Sequence, residues 1–318
     1  MAEQKRIDQP TGTETVGHEW DGIEELNTPL PRWWLWTFYA TVVFAIGYVV
    51  VYPSVPGANG APAGYLNWSS RENLQSALDA RQSELKPVYA ALAATDITAL
   101  PGKPELMNQA IAGGAAAFKV HCVQCHGSGA AGAKGYPNLN DDEWLWGGDL
   151  ATIEKTIADG IRQPGHDATR MSQMPAFGRD GILQPAQIED VVSYVRTLSG
   201  QEKGSASSAR GQALFTANCA VCHGPDGKGS RTVGAPNLTD AIWLYGGDRA
   251  TIAQTVTNSR YGVMPAWSLH LDKVTIRMLA AYVHSLGGGE AAPAPVSAPE
   301  QAADAASAAP AGAGNVGG

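Results

Sequence analysis

The sequence predicts a mainly α-helical protein, with one membrane-spanning helix near its N terminus followed by two small tandem helical domains. Three observations carry that expectation. Trp33 to Tyr52 is a 20-residue run without a charge. Residues 108–200 and 205–287 repeat one another. Each repeat opens with a Gly-x-x-x-Phe string of helical composition and closes with another helical segment holding a tyrosine.

Residues 1–32 form a polar segment in which Lys5, Arg6 and Arg32 face seven carboxylates. The span 33–52 then matches the roughly 20 residues a helix needs to cross the hydrocarbon core. Trp33, Trp34, Trp36, Tyr48 and Tyr52 crowd its two ends, where amphipathic rings prefer the headgroup region, and Pro53 follows where the helix can stop. About thirty polar residues precede the apolar run, which does not fit a cleaved signal peptide. Basic residues precede the span and the next one is Arg71, so the positive-inside rule puts the N terminus in the cytoplasm and all that follows Tyr52 outside, in a periplasm-like space. The expected location is a bacterial inner membrane, spanned once.

Residues 53–107 read as a linker and a helical segment: 53–66 is rich in Pro, Gly and Ala, and 70–94 has helical composition without site chemistry. Residues 288–318 are almost entirely Ala, Gly, Pro and Ser, too poor in large apolar side chains to bury a core, and are expected to be disordered. The formal charge of −8 is divided evenly about the span. The outer part is therefore only mildly acidic, which excludes nucleic acid as a natural partner and leaves an acidic docking face a weak inference.

The repeat extends well beyond its cysteines. Gly114-x-x-x-Phe118 recurs as Gly211-x-x-x-Phe215, and Pro137-Asn138-Leu139 as Pro236-Asn237-Leu238. The string from Trp144 to Asp149 recurs from Trp243 to Asp248, and Met174-Pro175-Ala176-Phe177 recurs as Met264-Pro265-Ala266-Trp267. Phe118 with Tyr194, and Phe215 with Tyr282, are expected to join the first and last helices of each repeat. Asp149 and Asp248 are expected to cap helices.

All four cysteines lie in two C-x-x-C-H strings, Cys122-Val123-Gln124-Cys125-His126 and Cys219-Ala220-Val221-Cys222-His223. This is the pattern of covalent haem attachment, in which two thiols form thioethers to the porphyrin and the adjacent histidine ligates iron. A thioredoxin-type pair or half a zinc site needs no histidine at that place. Two haems c are thus expected, and the repeats become two tandem class I cytochrome c domains. A six-coordinate iron needs a second ligand, and thioether sulfur favours the ferrous state. Met174 and Met264 stand before proline at matching places and are the candidates; Met171 has no counterpart. The metal ligands are then His126, His223, Met174 and Met264. His121, His166, His270 and His284 have no counterparts either and read as surface or supporting histidines. Trp144 and Trp243 read as wall packing against the haems. With both sixth positions filled, no open iron remains for peroxidase or nitrite chemistry, and no catalytic residue is assigned. The chain reads as an electron carrier.

The string His18-Glu19-Trp20-Asp21-Gly22-Ile23-Glu24-Glu25-Leu26-Asn27-Thr28-Pro29-Leu30-Pro31, leading into Arg32-Trp33-Trp34, resembles the dihaem subunit family of cbb3-type cytochrome c oxidases, CcoP or FixP. The likeness spans roughly residues 16–286. It implies an electron-transfer subunit that accepts electrons from a cytochrome c or a bc complex. It would pass them through a monohaem cytochrome c subunit to a catalytic haem b and copper subunit that reduces oxygen and pumps protons. The resemblance also implies exchanged methionines, Met264 serving the haem on Cys122/Cys125 and Met174 the haem on Cys219/Cys222. The residues alone allow each domain to use its own methionine. A free-standing membrane dihaem carrier shares every haem feature and differs only in partners.

Overall fold

The computed structural model describes residues 5–52, 60 and 63–291, so the expected linker and tail fall largely outside the described residues. The chain divides into two units, 1–85 and 86–318. In the first unit, β1 (Thr15–Trp20) and β2 (Ile23–Leu26) form an antiparallel hairpin with Trp20 opposite Ile23. Asp21 and Gly22 make its turn, both at positive φ (48° and 88°), as a two-residue turn matched to strand twist requires. Sequence reading treated this stretch only as polar. The helix α1 (Arg32–Val51) follows Pro31 and starts one residue earlier than expected. It is long and apolar enough to cross a bilayer, and none of its residues is buried.

The expected helix over 70–94 forms as α2 (Ser70–Ala94), and the division between the units falls within it. In the second unit a 3₁₀ turn over Ile97–Gly102 leads to α3 (Pro104–His121) and α4 (Val123–His126). The first repeat continues with α5 (Leu150–Asp159) and α6 (Pro185–Leu198). The second supplies α7 (Ala206–Asn218), α8 (Ala220–His223), α9 (Arg249–Asn258) and α10 (Lys273–His284). Asp149 and Asp248 cap α5 and α9, accepting from the amides of Thr152 at 3.1 Å and Thr251 at 2.9 Å, as expected.

The helices pair across the repeats, and this corrects the expected aromatic contacts. Phe118 meets Tyr282 and Phe215 meets Tyr194, each pair with ring centroids 5.2 Å apart. So α3 packs on α10, and α7 on α6. The glycines of the Gly-x-x-x-Phe strings explain the close crossings: a Cβ on Gly114 would collide with the Met278 carbonyl and Tyr282, and one on Gly211 with the Asp190 carbonyl and Tyr194. Because both repeats carry these features, they do not decide the pairing. Chain connectivity contributes, since only residues 199–205 join α6 to α7, and short connections place consecutive helices side by side.

The hydrophobic clusters follow the crossed pairing. One joins Phe118, Leu150, Ile153 and Ile157 to Ile276, Leu279 and Val283; the other joins Phe177, Val191, Val192 and Val195 to Phe215, Ile252 and Val256. A smaller cluster seats Leu92, at the end of α2, with Leu100, Ala110 and Met278. Arg277, 5% exposed, secures it. Its Nε donates to Glu154 at 3.0 Å, and its Nη1 to the carbonyls of Leu92, at 2.6 Å, and Thr95.

Candidate functional site

The two C-x-x-C-H strings adopt the same local geometry. Cys122 ends α3 and begins α4 at φ −111°, Cys219 does so between α7 and α8 at φ −113°, and each short helix stops at a glycine near φ +78° (Gly127, 78°; Gly224, 77°). Such a turn puts both thiols of a string on one side and carries the histidine beneath them. The four cysteines form no disulfide with one another, and before haem attachment burial together with the neighbouring thiol pushes Cys122 and Cys219 up to about 11.

Both histidines are held in one tautomer. His126 Nδ1 lies 3.1 Å from the Pro137 carbonyl and His223 Nδ1 lies 3.0 Å from the Pro236 carbonyl. A carbonyl can only accept, so Nδ1 carries the proton and the Nε2 lone pair is left for a metal. Burial lowers both imidazoles, against a smaller opposing effect of these bonds, which keeps them neutral and fit to ligate. The proline carbonyl of the repeated Pro-Asn-Leu string therefore supports the histidine of each C-x-x-C-H string.

A cavity opens against the second string. Cys219, Cys222 and His223 line it together with Met174, Pro175 and Phe177 of the first repeat, on a floor of Val191, Val195, Phe215 and Val256. An apolar bed with two thiols, an imidazole and a thioether matches a covalent haem with His/Met ligands. Met264, in turn, packs into the cluster that contains Cys122, Val123, Leu139 and Trp144. Met174 thus shares a cavity with the second string, and Met264 shares a hydrophobic cluster with Cys122 of the first.

Backbone pairing fixes the methionine segments. Met264 and Ile161 exchange amide bonds of 2.9 and 3.0 Å, and the Ser259 hydroxyl donates to the Met174 carbonyl. The remaining candidates stay apart: Met171 is 76% exposed, His121 and His270 flank Trp267, His166 approaches Asp159 at 3.6 Å, and His284 faces the Glu290 carbonyl. Trp144 gives its indole N–H to the Gly288 carbonyl at 2.6 Å, whereas that of Trp243, buried in the cavity wall, has no acceptor among the described residues.

Sequence reading missed a second cavity, between the Pro137-Asn138 and Pro236-Asn237 supports, lined by Asp141, Glu143, Leu145, Trp243 and Tyr245 among others. Burial raises the carboxyls of Asp141 and Glu143, and the charge of Asp240 raises Glu143 further. It also missed the arginines of the haem wall, Arg162 and Arg260. Arg260, four residues before Met264, matches Arg170, four residues before Met174, and their guanidinium carbons lie 4.8 and 4.9 Å from the matching Tyr245 and Trp146 rings, so the repeat itself could have singled them out.

Comparison with known proteins identifies the family. The family model described as the N-terminal domain of cytochrome oxidase-cbb3, FixP, matches residues 12–59. A cytochrome c model matches residues 111–199, and a model for cbb3-type cytochrome c oxidase subunit III matches residues 206–283. The chain is 54% identical over 282 residues to the cbb3-type cytochrome c oxidase subunit CcoP of Cereibacter sphaeroides, covering 89% of this chain and 97% of the relative. It is 50% identical over 291 residues to the subunit FixP of a Bradyrhizobium species, covering 91% and 100%, and 51% identical over 285 residues to FixP of Azorhizobium caulinodans, covering 89% and 96%. With two cytochrome c domains that carry two covalent haems c behind one apolar helix, the chain belongs to the CcoP/FixP family of electron-transfer subunits of cbb3-type cytochrome c oxidases.

Proposed function

We propose that Cys122, Cys125, His126 and Met264 hold one haem c and Cys219, Cys222, His223 and Met174 the other, so that each pocket is completed across the repeats. The observation that carries this reading is the single cavity lined by Cys219, Cys222, His223 and Met174. Residues 108–200 and 205–287 are then the repeat units along the sequence, while the redox units are built from both. Each bound haem supplies a one-electron couple whose potential a thioether ligand raises. The protein's part is to fix the ligands: the proline carbonyls hold the imidazoles, and the strand-like bonds of Met264 and the Ser259 contact hold the methionine segments.

The subunit sits in a bacterial inner membrane with α1 as its single span, the N terminus in the cytoplasm and the haem units in the periplasm. The basic residues before the span support that orientation. A cytochrome c or bc complex donates electrons, and a monohaem cytochrome c subunit passes them to the catalytic haem b and copper subunit.

Gentle solubilisation and tagged purification of the chain test the assignment. Co-purification of haem b and copper, with oxygen consumption on reduced cytochrome c, is the expected result. Elution of two haems c alone, without oxidase activity, would make the chain a free-standing carrier. M174H and M264H should each lower the potential of one haem, the one attached to the other repeat.

A further inference from the structure

Arg162 occupies an unusual place. Its Nε donates to the Gly262 carbonyl at 2.7 Å and its Nη1 to the Ser172 carbonyl at 2.8 Å. Gly262 stands two residues before Met264 and Ser172 two residues before Met174, so one side chain splints both methionine segments. The same guanidinium lines the cavity of the second string. Its backbone is left-handed at φ 56°, a conformation that costs a non-glycine residue and that is kept where function holds it.

Among the described residues no carboxylate pairs with Arg162. Burial lowers its pKa, and the titratable groups acting on it are the phenols of Tyr245 and Tyr261 rather than a carboxylate. Tyr261 lies with its ring 5.8 Å from the guanidinium carbon. Half-buried cations are ordinarily paired. The two bonds to carbonyls use part of a five-donor fork, leaving N–H groups for an anion. Of the groups this cavity would receive, the haem is the one that brings anions, in its two carboxylate side chains.

We propose that Arg162 binds a carboxylate of the haem attached to Cys219 and Cys222, and that by doing so it ties the potential of that haem to the seating of both methionine segments. This rests on the haem placement proposed above. Binding offsets a negative charge that would otherwise stabilise the ferric iron, which favours the ferrous state. Arg162 is a positioning residue that acts on the redox centre through the haem edge.

The test uses the full chain, purified with both haems, as R162Q and R162K. In R162Q the reduced-to-oxidised ratio of the second haem at fixed ambient potential should fall roughly tenfold, about 59 mV for a one-electron couple. The other haem should stay in place, and R162K should recover most of the loss. Resonance Raman bands of the haem carboxylates should shift in R162Q. M174H assigns the wave, because it lowers the potential of the haem that Met174 serves. Unchanged potential and carboxylate bands in R162Q, or an equal shift at both haems, would overturn the proposal. So would loss of the methionine-to-iron absorption band in R162Q and R162K alike, which would make Arg162 a splint only. If M174H moves the other haem while R162Q still shifts the carboxylate bands, the methionine pairing fails and the arginine contact stands.

Discussion

Asp190 and Arg210 meet where α6 crosses α7: Arg210 Nε donates to Oδ2 at 2.8 Å and Nη2 to Oδ1 at 2.7 Å. At the equivalent crossing of α3 with α10, the same two positions hold Gly113 and Met278, and the methionine sulfur lies over the glycine. The uncrossed arrangement would set Asp190 over Gly113 without a partner and Met278 against Arg210. That contrast gives the pairing its specificity, because the wrong partner is penalised as well as the right one favoured. D190M/R210G, which makes the two crossings alike, should let α3 and α7 compete for either helix. Mixed disulfide cross-linking between engineered cysteines on α3 and α6 would report it, and its absence would show that the connection at residues 199–205 suffices alone.

Bonds from Arg210 and from Ser207 hold the Asp190 carboxyl below the usual range. A carboxyl with a depressed folded pKa contributes stability above its unfolded pKa, about 3.9, and loses it as pH falls through the folded value. The melting temperature advantage of the wild type over D190N should therefore be full at pH 6 and vanish in strong acid. Thermal melts across pH 2 to 6 check the sign.

Glu143 behaves in the opposite sense. Its raised carboxyl is penalised for ionising, mainly by burial and then by Asp240. The penalty is absent below the ordinary carboxylate pKa and complete above the folded value. E143Q should melt higher than wild type at pH 7 and equally below pH 4. A lower melt at pH 7 would mean that the ionised carboxylate is needed at that place.

Replacing Gly114 or Gly211 by alanine places a Cβ against backbone of the crossing helix. Each substitution should cost on the order of 1–3 kcal/mol and lower the haem c content of its unit. R277A should cost about 3 kcal/mol, since it strands half-buried Glu154 and the carbonyls of Leu92 and Thr95. Chemical denaturation of the detergent-solubilised chain measures both.

The hairpin at residues 15–26 ends five residues before α1. Deleting residues 16–31 while keeping the span should release the chain from haem b during purification, and an intact complex would remove the hairpin from assembly.

Much of this was legible in the chain itself. The charge-free run, the doubled C-x-x-C-H, the paired Met-Pro strings and the aspartate caps each depend on neighbours close in sequence, and they appear where expected. The hairpin was overlooked although Asp21-Gly22 is a strong turn signal. The aromatic pairing was misjudged for a different reason. Tyr194 and Tyr282 lie on near-identical surfaces, and the choice between them turns on Asp190 against Met278, a difference that has no meaning until the crossing helix is known. Arg162 was invisible because its role depends on two carbonyls 10 and 100 residues away.

The crossed helices also set an order of completion for a chain synthesised from its N terminus. The unit built on Phe215 and Met174 has all its helices by Asn258, whereas the unit that attaches its porphyrin first in sequence, at Cys122, must wait for α10. Its pocket stays open until α10 is made, and a chain cut short after residue 272 should keep the later haem in a finished pocket while the earlier one lacks its wall.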